Sequence, residues 1–151
     1  MGFSESRWAK GVIGENTVES VIENLYDVKR TLEKQHPWDY ESETDVVEQK
    51  TRFNMKSSTY NEWYFPVNKI INCKNEKRRC HLIYFFPDDN TLWSITYDPS
   101  VFAGFQTKFV WAERTDSVLI PAKNWKRISW GPITSCCRET PRPAPPTPYC
   151  R

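Results

Sequence analysis

Asp39, Glu48 and Lys50 are three residues whose types and spacing can do chemistry together. The stretch from Pro37 to Arg52 reads as two short strands joined by a tight acidic turn. With the turn centred between Glu43 and Thr44, Asp39 falls directly opposite Glu48. Directly opposed like charges destabilise a strand pair, so such a pairing calls for a cation. Strand alternation returns Lys50 to the face of Glu48. Two carboxylates and a lysine on one patch make a metal site with a charged helper beside it.

Context gives this tripeptide its meaning. Asp27-Val28-Lys29 has the same acid-x-lysine form, but it falls in a helical pattern, where positions two apart do not share a face. Val46 and Val47 give the Glu48 segment β-branched strand character. Asp45 is closer to Glu48 in sequence, yet three positions away on one strand it points to the opposite face. Without an ion, Glu48 and Lys50 would be a surface pair worth at most about 1 kcal/mol.

The elements that must position these residues are readable on either side. Val18, Val21, Ile22, Leu25, Val28 and Leu32 recur at three- and four-residue steps, which predicts an amphipathic helix. Asn16 or Thr17 is its N-cap, and Pro37 ends it near Gln35. After the hairpin, Tyr60 to Pro66 is aromatic-rich, and Pro66 opens a short helix over Val67 to Ile71. Lys74 to Arg79 is a charged turn. Cys80 to Phe86 is a continuous apolar run, as expected for a central strand covered on both faces. Pro87 to Asn90 is a turn, and Thr91 to Tyr97 alternates, so these two runs form a second hairpin. Phe105 to Trp111 and Ser117 to Pro121 are further strands, with a closing turn or strand at Asn124 to Ile128. The mixture without regular alternation predicts an α+β domain with a partly antiparallel sheet.

At 151 residues the chain is most simply one domain, over residues 1–130. Six of the eleven prolines lie beyond it, so residues 131–151 read as a Pro-rich tail, extended or disordered. Seven Trp, seven Tyr and eight Phe supply a core despite a hydrophobic fraction of 38%. A net charge of +2 permits nucleic-acid binding without demanding it. There is no apolar run of membrane-spanning length and no apolar leader in residues 1–7, so an intracellular protein is expected. The five cysteines then read as free thiols. Cys73, Cys80 and His81 match no C-x2-C zinc spacing.

A helix led by Gly14-Glu15, a strand bearing Asp39-Tyr40, and Glu48-Gln49-Lys50-Thr51-Arg52 on the next strand together resemble the PD-(D/E)xK (restriction-endonuclease-like) nuclease superfamily. The resemblance covers residues 11–71, and it departs in one extra residue between Pro37 and Asp39. It implies a mixed β-sheet flanked by helices and a Mg²⁺- or Mn²⁺-dependent phosphodiesterase acting on DNA, with homodimerisation a possibility. Asp39, Glu48 and the backbone carbonyl of Gln49 would hold the ion, which would polarise the phosphate and generate the nucleophilic water. Lys50 would orient that water or stabilise developing charge. Glu15 would touch the metal through water, or else simply be an acid well placed at a helix N-terminus. Arg52, Tyr60, Asn68 and Lys69 are the expected substrate contacts: Arg52 by bidentate pairing with phosphate, Tyr60 by stacking on bases, and Lys69 from the helix flanking the site.

Two other classes fit the same sequence. One is a nucleic-acid-binding module without catalysis, whose affinity falls with salt. The other is an interaction protein that displays the Pro-rich tail.

Overall fold

The computed structural model describes residues 18–130. It opens on a helix, α1, which runs to residue 26. Val18 and Ile22 are fully buried, but Leu25 is half exposed and Leu32 stands in solvent. The helix therefore stops well short of Gln35, and the reason is local. Asp27 takes a left-handed φ of 55°, and the Val28 N–H donates to the Glu23 carbonyl at 3.2 Å. That is a Schellman termination, with aspartate where glycine is usual. The Glu23 carboxylate then accepts from the Arg30 N–H at 2.9 Å and turns the chain into an edge strand.

That strand, β1 (Lys29–Arg30), pairs antiparallel with β2 (Tyr40–Glu41), and β2 with β3 (Asp45–Thr51). The register sets Tyr40 opposite Val47 and Glu41 opposite Val46, so the expected register holds for these two pairs, while Asp39 lies just before the paired residues and is not itself paired with Glu48. β4 (Glu62–Pro66) follows, and Pro66 leads directly into α2 (Val67–Asn75), a longer helix than the proline alone announced. The crossover through β4 and α2 returns the chain to β5 (Arg79–Phe86), parallel to β3, which then pairs antiparallel with β6 (Thr91–Thr96). A short helix, α3 (Pro99–Phe102), precedes the hairpin of β7 (Gln106–Val110) and β8 (Thr115–Pro121), and β9 (Lys126–Ile128) closes on β6.

The result is mixed α+β: a six-stranded sheet in the order β1-β2-β3-β5-β6-β9 and a separate three-stranded sheet, β4-β8-β7. Strand parity divides the larger sheet's two faces. Val47, Ile83 and Phe85 face α1 with Val18, Ile22 and Tyr40. Val46, Leu82, Tyr84 and Phe86 face the smaller sheet and α2, against Trp63, Phe65, Cys73, Ile120 and Trp125. β5 is buried from both sides, as its continuous apolar run requires. Glu48, Lys50 and Arg52 share the parity of Val46, so they lie on the face that the smaller sheet covers.

Trp63 is the hub of that second core. Its ring lies 4.9 Å from Phe86, 5.3 Å from both Trp93 and Trp125, and 5.7 Å from Tyr84. Trp63→Ala is expected to cost about 3–5 kcal/mol in urea denaturation. A loss below about 1 kcal/mol would mean that the two sheets are not held together there.

Candidate active site

Asp39 sits in the bend just before β2. Its N–H donates to the Val47 carbonyl at 3.0 Å, and its carbonyl accepts from the Thr31 N–H at 2.8 Å and from the Thr31 hydroxyl at 3.1 Å. The side chain turns back onto β3, where Oδ2 accepts from the Gln49 N–H at 2.9 Å. Neighbouring contacts hold this corner from outside. Trp38 is buried and donates its indole N–H to Glu76 at 3.1 Å, and Arg78 bridges Glu76 and Glu41.

Glu48, on β3, is buried and close enough to Asp39 to feel its charge. One carboxylate oxygen, Oε2, is 2.8 Å from the Lys69 ammonium on α2. The other, Oε1, is buried with no hydrogen-bond partner. Burial, and then the charge of Asp39, push the Glu48 carboxyl up to about 8, against the opposing pull of Lys69 and Lys50. Asp39 is likewise raised by burial, despite the Gln49 N–H and the nearby charges of Lys69, Arg30 and His36. Burial alone would lower Lys69, but Glu48 and Asp39 outweigh it and raise it. A buried carboxyl and a part-buried one thus repel each other near one ammonium. A buried oxygen without a partner is a costly arrangement, and a hard cation would satisfy it.

Lys50 and Arg52 continue the same face. Lys50 Nζ lies 3.0 Å from Glu113 Oε1, and Arg52 Nη2 lies 2.8 Å from Glu113 Oε2. The Arg52 guanidinium stands 4.5 Å over the Tyr64 ring and 5.9 Å from that of Tyr84, which fixes its plane. Burial and then the charge of Arg52 lower Lys50 from its usual range, against Glu113. Burial would raise Glu113, but Lys50 and Arg52 hold it below the usual carboxylate range.

The other expected site residues divide. Lys69 is brought in, as the partner of Glu48. Asn68 is beside it in the first turn of α2 and exposed. Gln49 presents its backbone N–H to Asp39, while its side chain points to the α1 face and accepts from the Tyr40 hydroxyl at 3.2 Å. Tyr60 is not brought in. It is an exposed loop residue at the end of β4 away from α2, and its carbonyl accepts from the Trp63 indole at 3.3 Å. Glu15 lies outside the described residues, as does the tail from residue 131. Glu113 is the residue that sequence reading missed.

Asp45, the rival aspartate, is committed elsewhere. Its carboxylate meets His81 Nε2 at 2.7 Å and Arg79 at 3.0 Å, and accepts from the Thr44 hydroxyl at 2.6 Å. Burial would raise it, but these partners bring it down to about 2. Burial lowers His81, so the neutral ring donates from Nε2 to Asp45 and accepts the Thr96 hydroxyl at Nδ1, 2.9 Å away. Tyr26 stacks on that ring at 4.2 Å, on the α1 side. Cys80 faces the other core, which also separates it from His81 as a metal donor. Asp45→Asn is expected to lower stability by about 1–3 kcal/mol and to leave chemistry at Glu48 unchanged. The difference between wild type and variant should shrink as pH falls from about 4 to about 2, because the depressed carboxyl takes up its proton there. Acid denaturation curves check this.

Among the described residues, no three His, Cys, Asp or Glu side chains converge, and no helix is long and apolar enough to cross a membrane. Comparison with protein-family models, curated proteins and solved structures gives no match to this chain.

Proposed function

We propose that the chain is a divalent-metal-dependent nuclease that hydrolyses DNA phosphodiester bonds, with Asp39 and Glu48 holding the ion. The observation that carries this reading is the buried, unpartnered Glu48 Oε1 beside a second carboxyl, with Lys50 two residues further along the same strand face. The mixed sheet and its flanking helices agree with the PD-(D/E)xK resemblance in the order of elements that bear these residues.

Mg²⁺ or Mn²⁺ fits the donor set, since such ions are held by one or two carboxylates plus waters and substrate oxygens; the Gln49 carbonyl is the third protein oxygen. A bound ion would supply Lewis-acid polarisation of the phosphate and a more acidic water. The chain's own residues do the rest. With a cation beside it Glu48 would be held as the carboxylate, its proton lost to solvent. Lys69, then free of Glu48, would be available to substrate phosphate. Lys50, part-buried on the sheet face, places positive charge where oxyanion charge develops. Arg52 offers a planar fork to a neighbouring phosphate.

The test is incubation of the purified chain with plasmid and single-stranded DNA in Mg²⁺, Mn²⁺ or EDTA. Metal-dependent cutting that survives Glu48→Ala and Lys50→Ala would move the chemistry elsewhere. One observation favours a second reading, a DNA-binding module without catalysis: Glu48 already has a cation in Lys69. That reading predicts salt-sensitive affinity with no metal dependence.

A further inference from the structure

Lys50 and Arg52 present two donors to one carboxylate, at 3.0 Å and 2.8 Å. The same two donors could equally take two oxygens of a phosphate, which suits an arginine fork as well as a carboxylate does. The carboxylate now there comes from a distinctive place. Glu113 sits in the tight turn between β7 and β8, where the N–H groups of Glu113 and Arg114 both donate to the Val110 carbonyl and Arg114 is left-handed. β7 is the outer strand of the smaller sheet, and Gln106 to Phe109 are exposed along it. In the same turn, two residues before Glu113, Trp111 is 82% exposed and packs edge-on against the half-exposed Phe109 at 5.0 Å. Two large aromatics held against each other in water need an explanation that core packing does not give.

We propose that Glu113 occupies the position of a substrate phosphate, and that a single-stranded DNA segment displaces it, seating a phosphate on Lys50 and Arg52 and a base on Trp111. This deepens the nuclease reading and rests on it for the identity of the ligand. The occupant is chosen by the pairing of a two-cation fork, suited to two oxygens of a phosphodiester, with an exposed indole two residues from the carboxylate now on that fork. Successive phosphates and bases of a single strand supply both partners, whereas the bases of an intact duplex are stacked away from such a ring. Glu113 then acts as a competing anion. It keeps Lys50 and Arg52 neutralised until the strand arrives, and its removal should strengthen binding even though it removes two ion pairs from the folded protein.

The experiment is fluorescence anisotropy with a labelled oligo-dT in EDTA and low salt, so that cleavage plays no part. Glu113→Gln keeps a hydrogen-bonding side chain at the turn and removes the charge. It is expected to bind about tenfold tighter than wild type, with a steeper salt dependence. Trp111→Ala is expected to bind about 5–150-fold more weakly, the range for losing one base stack, and a duplex competitor should be poor against both. Thermal melts of both variants confirm that they are folded. Unchanged or weaker binding by folded Glu113→Gln would overturn the phosphate-surrogate role, and unchanged binding by Trp111→Ala would overturn the stacking role. Cleavage is scored separately. A protein that cuts DNA while Glu113→Gln shows no gain in affinity keeps the nuclease reading and loses this one. A protein that binds as described but never cuts does the reverse.

Discussion

Glu48→Gln is expected to slow Mg²⁺-dependent cleavage of DNA by about 10²–10³-fold, the usual effect of removing one electrostatic stabiliser from a site, while making the protein harder to unfold at alkaline pH. The two effects have one cause. In the unfolded chain Glu48 deprotonates near its ordinary value of 4.5, whereas in the fold it is held to about 8. Between those limits the folded state keeps a proton that the unfolded state has lost. Stability therefore falls as pH rises from about 4.5 to about 8, and stays reduced above that. The loss is on the order of a few kcal/mol. A glutamine carries no charge and escapes it, and Asp39 still faces the Lys69 ammonium in the variant. Urea denaturation at pH 5 and pH 9 should therefore show the gap moving in favour of Glu48→Gln at the higher pH. A variant that is less stable than wild type at pH 9 would make Glu48 an ordinary ion-pair partner of Lys69, with no call for a metal.

The second large effect is the pH dependence of the metal itself. A carboxyl must be deprotonated to bind an ion, so metal affinity rises with pH below its pKa. With Glu48 near 8, cleavage at sub-saturating Mg²⁺ should rise by up to tenfold per pH unit, about 50-fold in all between about pH 6 and pH 8, then level off. Thermal melts supply a readout that does not depend on turnover: Mg²⁺ should raise the Tm more at pH 8 than at pH 6. At higher pH the depressed Lys50 loses its proton, and the rate should fall again. A flat profile from pH 6 to pH 8, in both rate and Tm shift, would mean that these carboxyls are not the ligands.

Much of this site could be read from the sequence because its chemistry lies within one hairpin. Alternation alone put Glu48 and Lys50 on one face and Asp45 on the other, and a tight turn was enough to bring Asp39 across. The two central strands were legible for the same reason, as a continuous apolar run followed by an alternating one. What escaped depended on contacts distant in sequence or on unusual local chemistry. The end of α1 was misplaced because Asp27 serves where glycine normally signals a stop. The helical periodicity carried on past it, through Val28, which is buried for another reason, to Leu32, which is not buried at all. The smaller sheet was hidden because Trp63 and Phe65 pair with Ile120 and Val118, far along the chain, and no local pattern announces such a partner. Glu113 lies 63 residues from Lys50 and 61 from Arg52. In sequence it is only an acid in a turn. Its partners mark it as part of the site, just as Tyr60, an attractive exposed aromatic in sequence, is left out of it by the direction of β4.

The most direct measurement is single-turnover cleavage of a labelled single-stranded DNA in Mg²⁺ by wild type, Asp39→Asn, Glu48→Gln and the double variant. If the two carboxyls act through one ion, the loss is not additive, and each single variant should fall to within about tenfold of the double. Losses that multiply in the double variant, or a folded wild-type protein that cuts as well in EDTA as in Mg²⁺, would contradict a shared metal at Asp39 and Glu48.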